Sequence, residues 1–131
     1  MDVGCGTGIM GKLLQQRGFY KIEGADASES FTIAAQNTCL YQSVLCMYFG
    51  MGLSELPAEL LNRYEAVVAS GVWLEDHIPA SGFDDVHAML RPGGFFVTAM
   101  RSKYWKEGQK EGYKDKINQM VQSGKFKLVD Q

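Results

Sequence analysis

No apolar run in this sequence approaches the roughly 20 residues needed to cross a bilayer. No signal peptide opens it either, because Met1 is followed at once by Asp2 and a glycine-rich turn. An excess of one charge is also lacking: 13 Lys and Arg against 15 Asp and Glu leave a net charge of -2. Nucleic acid favours a basic face, so nothing here indicates it as a partner, and nothing indicates a membrane. Cysteine is sparse. Cys5, Cys39 and Cys46 form an odd set without CxxC spacing, which argues against a disulfide framework or a zinc site and favours a reducing, cytoplasmic setting. Cys39 and Cys46 read as small core residues. Repeats, low-complexity tracts and linker-like segments are missing as well, so the 131 residues read as one domain.

What is present is an alternation of short apolar runs with amphipathic stretches, at 46% hydrophobic and 21% charged residues. That pattern points to an α/β sheet with helices on its faces. Asp2-Val3 reads as the tail of a strand running into GCGTG, and a helix follows over Ile9 to Arg17 with Ile9, Leu13 and Leu14 on one face. Tyr20 to Ala25 predicts a second strand ending at Asp26, and Ser28 is placed to cap a helix carrying Phe31, Ala34 and Ala35. Tyr41 to Phe49 predicts a third strand, followed by a short helix near Ser54 to Leu61, and Tyr64 to Ser70 a fourth strand buried on both faces. A helix with Phe83, Val86 and Leu90 on one face must stop before Pro92, where a turn feeds the strand Phe95 to Met100. Tyr113, Ile117, Met120 and Val121 mark a last helix ended by Gly124, and Lys125 to Val129 resembles a final strand. The strands are expected to be parallel, joined by right-handed crossovers.

The stretch with chemistry in it is DVGCGTG, Asp2 through Gly8, at a strand-to-helix junction. Glycines there permit positive φ and let a ligand approach without meeting a Cβ. The helix that follows offers unpaired N–H groups and a positive dipole end, suited to a phosphate or a carboxylate. Some 20 residues on, Asp26 closes the second strand, where an acid can accept both hydroxyls of a ribose. Taken alone these features are ambiguous. Gly6, Gly8 and Gly11 also satisfy the dinucleotide pattern GxGxxG, Asp26 could simply cap the next helix, and the glycines could form a tight turn without a ligand. Asp2 separates the readings, because an acid beside a pyrophosphate would repel it, whereas it suits a ligand with a cationic part. The second separating feature is LRPGG, Leu90 to Gly94, ahead of Phe95-Phe96-Val97.

With these blocks in order, the chain resembles the class I S-adenosylmethionine-dependent methyltransferases. DVGCGTG resembles their first motif, Asp26 the acid ending strand two, YEAVVASGVW the strand-four motif, and HAMLRPGGFFVTAM the helix, turn and strand that follow. Within that family, Leu40 to Glu59 is similar to the methyltransferase-like proteins of the Williams–Beuren syndrome critical region. The resemblance implies a Rossmann-like, doubly wound, mainly parallel α/β sheet with helices on both faces. It further implies that residues 1–131 are part of one class I methyltransferase domain, truncated at the first strand, lacking the last strand and therefore marginally stable.

The cofactor implied is S-adenosyl-L-methionine. Its methionine portion would lie on Gly4, Cys5, Gly6 and Gly8, with Thr7 nearby, and Asp2 would meet the ammonium directly or through water. Asp26 would take the ribose hydroxyls and Ala27 would line the adenine pocket, while Ser70 and Gly71, with Val72, would face cofactor and acceptor. The segment Met47 to Gly52 lacks the acid that many members place near the adenine, which leaves stacking and backbone bonds for that role. Methyl transfer from a sulfonium is an in-line displacement, for which the protein supplies alignment, desolvation and sometimes a base. His77, in the loop Glu75-Asp76-His77, is the candidate base, with a solvated surface loop as the alternative. His87 reads as structural, and Trp73, Trp105 and Tyr104 as either substrate walls or core. Lys103, Lys106, Lys110 and Lys114 interleave with Glu107, Glu111 and Asp115 and read as a solvated, salt-bridged helix face. The acceptor implied is a small molecule or a protein side chain. A non-catalytic cofactor-binding or interaction module and, less favoured, an NAD-dependent oxidoreductase are the alternatives.

Overall fold

Small and β-branched residues build the centre of a parallel sheet in the computed structural model, which describes residues 1–130. The elements run β1 (Asp2–Val3), α1 (Ile9–Gln16), β2 (Glu23–Asp26), α2 (Glu29–Asn37), β3 (Ser43–Cys46), β4 (Tyr64–Ser70), α3 (Gly82–Met89), β5 (Leu90–Ala99) and α4 (Tyr113–Gln122). Among the described residues the sheet has five strands in the order β3-β2-β1-β4-β5, every pair parallel. This is the Rossmann-like α/β arrangement expected from the sequence. Asp2 pairs with Gly24 on one side and Val68 on the other, and Val3 with Ala25 and Ala69. The two residues of β1 are therefore central in the sheet and almost fully buried. Sequence order reverses between β1 and β4, and in open α/β sheets the strand C-termini at such a switch point form the ligand crevice.

The larger core joins Val3, Ala25, Val67 and Ala69 of the sheet to Phe83, Val86 and Met89 of α3 and to Tyr113 and Met120 of α4. Trp73 is its hub, stacked on Phe83 at 4.1 Å between ring centroids and edge-on to Tyr113 and Phe96. Aromatic pairs of this kind add about 0.5–1.5 kcal/mol each beyond their buried area. A smaller cluster of Cys5, Ile22, Ala35 and Tyr41 lies beneath α1 and α2.

Several expectations are corrected. Helix α1 does not bury Ile9 and Leu13, which are 73% and 42% exposed. Gly11 is its buried residue, so the inward direction runs through Gly11 and Leu14, opposite Ile9 and Leu13 at 100° per residue. In α2 the buried residues are Thr32 and Ala35, while Phe31 faces outward; Ser28 caps this helix as expected, accepting from Phe31 N. The third strand is shorter than Tyr41 to Phe49, and the helix near Ser54 to Leu61 is two 3-10 turns, Leu53–Glu55 and Ala58–Leu60. Leu90 to Gly94 belongs to β5 as an irregular stretch: Leu90 pairs with Tyr64 and the register shifts before Phe95 meets Ala66. Strand β4 is packed on the face of Val67 and Ala69, but Ala66 on the other face is exposed, as are its partner Phe95 and nearby Val97.

Cys39 and Cys46 are exposed, not core residues. Cys39 stands in a turn just after α2 at φ 58, and Cys46 ends the edge strand β3. The charged set is not one helix face: Lys103 lies in a 3-10 turn, Ser102–Tyr104, residues 105–112 are irregular, and only Lys114 and Asp115 lie in α4. Charge pairing is present all the same, with Lys114 reaching Glu107 at 3.4 Å and Lys110 reaching Glu75 at 3.7 Å. Lys125 to Val129 forms no strand. Its apolar signal comes from Phe126, which packs on Phe96 and edge-on to His87. That contact also accounts for His87 as a structural residue. Among the described residues no helix is long and apolar enough to cross a membrane.

Candidate functional site

The glycine turn leaves β1 at the switch point with Gly4, Gly6 and Gly8 at φ 68, 51 and 98, conformations that side chains with a Cβ rarely adopt. Gly4 N and Cys5 N both donate to Ala25 O, at 2.8 and 3.0 Å, and so tie the turn to β2. A Cβ on Gly4 would lie 2.1 Å from Val72 Cγ1, whereas one on Gly6 would meet nothing within 4 Å. The first glycine is thus packed against the segment after β4 and the second opens outward. Gly8, the residue before α1, gives no side-chain cap; Tyr41 Oη takes Gly11 N, which leaves the N–H groups of Ile9 and Met10 for water or a ligand.

Asp26 braces this turn. Its Oδ2 accepts from Gly6 N and its Oδ1 from Ser28 N, both at 2.9 Å. The bond to Ser28 N shapes the turn ahead of α2, whose cap is Ser28 itself, and the bond to Gly6 N reaches back across 20 residues to the glycine turn. An ionised carboxylate has about four lone-pair sites, so these two bonds leave capacity for further donors.

Asp2 is buried directly beneath the turn, 1% exposed. Its Oδ2 accepts from Tyr41 Oη at 2.7 Å, and the same hydroxyl accepts from Gly11 N at 3.1 Å. Burial raises the Asp2 carboxyl to about 6, and nearby Asp26 adds to the rise; the Tyr41 bond and the Met1 amine oppose it. Burial likewise pushes the Cys5 thiol up to about 12. Cys5 points into the smaller core, so its backbone is what it offers to the turn.

At the C-terminal ends of β4 and β5 lies an open cavity of about 320 Å³ lined by Ser70, Gly71, Trp73, Leu74, Ala99, Met100 and Arg101. A Cβ on Gly71, at φ 72, would meet nothing within 4 Å. Trp73 contributes to this wall while belonging to the core, and its Nε1 donates to Thr98 Oγ1 at 2.7 Å. A second cavity of about 520 Å³ follows β3, lined by Met47, Tyr48, Met51, Glu55 and Pro57. Phe49 of the same segment is buried in the core instead. Glu55 is the acidic residue of this lining.

The structure thus gathers Asp2, Gly4, Cys5, Gly6, Gly8 and Asp26 around one turn, with Ala27 exposed next to Asp26, and places Ser70 and Gly71 at the end of β4. His77 is not among the residues lining the β4–β5 cavity. It is exposed, with Nδ1 3.0 Å from Glu75 O. A carbonyl can only accept, so in this contact Nδ1 is the donor. Tyr41, Glu55 and Arg101 carry no motif and were not anticipated from the sequence.

Residues 1–94 match the family described as Methyltransferase domain. The chain belongs to that family. It is 28% identical over 125 residues to human Methyltransferase-like protein 27, covering 95% of this chain and 49% of that protein. It is 30% identical over 106 residues to the Ubiquinone biosynthesis O-methyltransferase of Pseudomonas syringae pv. tomato, covering 78% of this chain and 44% of that one. The chain therefore spans about half the length of the curated relatives it matches. Among solved structures, the S-adenosylmethionine dependent methyltransferase of Mesorhizobium loti superposes with a TM-score of 0.57 at 25% identity, covering 74% of this chain and 43% of that chain. A Methanococcus maripaludis protein gives 0.58 at 17% identity over 93% of this chain and 54% of its own, a likeness of fold.

Proposed function

We propose that residues 1–131 work as part of a class I methyltransferase domain that binds S-adenosyl-L-methionine across the switch point and transfers its methyl group to a small-molecule or protein acceptor. The carrying observation is the union of an acid-braced glycine turn with an open wall. Asp26 holds Gly6 N at 2.9 Å while Gly6 and Gly71 both leave free space where a Cβ would stand.

The residues fit the cofactor's three polar ends. The first turn of α1 suits its carboxylate, the buried Asp2 its ammonium, and the remaining acceptor capacity of Asp26 its ribose hydroxyls. Gly4, Cys5, Gly6 and Gly8 supply backbone without side-chain obstruction. Ala27, which is exposed, and Tyr48 and Met51, which line the cavity after β3, would cover the adenine. Once bound, the cofactor supplies an activated methyl carbon, and the chain's task is to orient an acceptor and exclude water. Ser70, Gly71, Trp73 and Arg101 would line that acceptor space. His77, through Nε2, would take the proton of an acceptor that carries one. The exposed free thiols of Cys39 and Cys46 favour a reducing compartment, the cytoplasm.

Calorimetric titration with S-adenosylhomocysteine and with NAD tests the binding, and labelled methyl transfer over a broad acceptor panel tests the chemistry. Saturable binding of the homocysteine compound with transfer is the expected result. Tight NAD binding without it would overturn the reading. Binding without transfer to any acceptor would favour a non-catalytic cofactor-binding module.

A further inference from the structure

Three glycines, two at α1 and one in β2, converge on one tyrosine ring. A Cβ on Gly8, at the start of α1, would lie 3.3 Å from Tyr41 Cε2. One on Gly11, inside α1, would lie 2.5 Å from Tyr41 Cζ, and one on Gly24, inside β2, 3.1 Å from Tyr41 Cδ1. Glycine inside a helix or strand costs about 0.5–1 kcal/mol relative to alanine, so its use at Gly11 and Gly24 marks a close approach. The object approached is Tyr41, itself 5% exposed. Its hydroxyl stands between Asp2 of β1 and the first turn of α1, donating to Asp2 Oδ2 and accepting from Gly11 N.

Resting on the reading of the turn as the cofactor site, we infer that Tyr41 is a positioning residue for cofactor binding: its hydroxyl fixes the Asp2 carboxylate and the first turn of α1 in one frame. The acid that would meet the ammonium and the helix end that would meet the carboxylate are thus held by the two halves of a single O–H group. Gly11, although it completes GxGxxG, serves the tyrosine and not the ligand. Removal of the hydroxyl leaves Asp2 with one donor fewer and Gly11 N without its acceptor, so both charged contacts loosen together. The other groups facing Asp2 are the Met1 amine, the Cys5 thiol and the Asp26 carboxylate. None of them replaces a hydroxyl bonded to Oδ2.

The experiment is titration of the whole chain with S-adenosylhomocysteine as a function of pH, for the parent, Tyr41→Phe, Asp2→Asn and the double variant. Tyr41→Phe is expected to weaken binding on the order of tenfold near neutral pH, the scale of a lost bond to a charged group. Its acid limb, where affinity is lost on protonation of Asp2, should move to higher pH. In the Asp2→Asn chain the limb should vanish, and adding Tyr41→Phe should cost much less than it does in the parent. A drop in melting temperature with unchanged affinity and an unmoved limb would overturn the inference, since a merely structural tyrosine would behave so. If Tyr41→Phe does not fold, 3-fluorotyrosine placed at position 41 carries the test. Its more acidic hydroxyl should move the limb to lower pH, and an unmoved limb contradicts the inference. Failure of the parent chain itself to bind would defeat the reading of the site, which is a separate outcome.

Discussion

Gly4 and Val72 meet where β1 and the segment after β4 leave the sheet, so closely that a methyl group on Gly4 would lie 2.1 Å from Val72 Cγ1. The contact locks the glycine turn to the far side of the switch point. Gly4→Ala therefore faces both a steric clash and a positive φ of 68°. Overpacking of this kind costs about 1–3 kcal/mol. Loss of S-adenosylhomocysteine binding with a lowered melting temperature is expected. Gly6→Ala, which meets no atom within 4 Å, should disturb the fold far less while still obstructing the ligand. Calorimetry on the two variants checks this contrast.

Asp26 is predicted to act on turn and ligand together. Asp26→Ala removes the acceptor for Gly6 N and Ser28 N, a loss of about 1.5–3 kcal/mol for bonds to a charged group. Asp26→Asn keeps one oxygen and should fall between the alanine variant and the parent. Chemical denaturation measures the first effect, and cofactor affinity, which should fall more steeply than stability, measures the second.

Stability should depend on pH through Asp2. The folded carboxyl is raised to about 6, against about 3.9 in an unfolded chain. Between these values the folded chain binds more protons, so this group's contribution is fully present at low pH and is lost as pH rises through the folded value. Asp2→Asn abolishes that titration. The difference in unfolding free energy between Asp2→Asn and the parent should therefore shift in favour of the variant from acid to neutral pH, by about 1–3 kcal/mol. A pH series of denaturant melts on both chains gives the measurement.

Trp73 gives a prediction for the acceptor side. Its Nε1 donates to Thr98 Oγ1, which in turn donates to Ala69 O at 2.8 Å. Thr98→Val is nearly isosteric but leaves the indole N–H of a 2% exposed residue without its acceptor, at about 1–3 kcal/mol. Trp73→Phe in the Thr98→Val background should cost less than in the parent, which a double-mutant cycle of unfolding free energies checks.

The site's local parts were legible in the sequence and its long-range parts were not. The turn itself is legible because alternating glycines at a strand-to-helix junction mark positive φ, which Gly4, Gly6 and Gly8 adopt, and Asp26 because it closes the neighbouring strand. The central sheet was legible too, since Ala66 to Ala69 and Phe95 to Ala99 are apolar over strand length. Tyr41 was hidden because its partner Asp2 lies 39 residues away, and the contact depends on how β3 sits beside β2. Glycines inside α1 and β2 were the available signal of a close approach. The inward face of α1 was misread for the same reason: Gly11, with no side chain, is what packs. The final strand is absent among the described residues because, of the apolar residues Phe126, Leu128 and Val129, only Phe126 packs on the core while the other two are exposed.

The most direct measurement is calorimetric titration of the 131-residue chain with S-adenosylhomocysteine, run in parallel on Gly4→Ala. Saturable binding to the parent that disappears in the variant, with no comparable binding of NAD, is the predicted result. Equal binding by both chains, or binding of NAD in place of the homocysteine compound, would contradict the assignment of the glycine turn as the cofactor site.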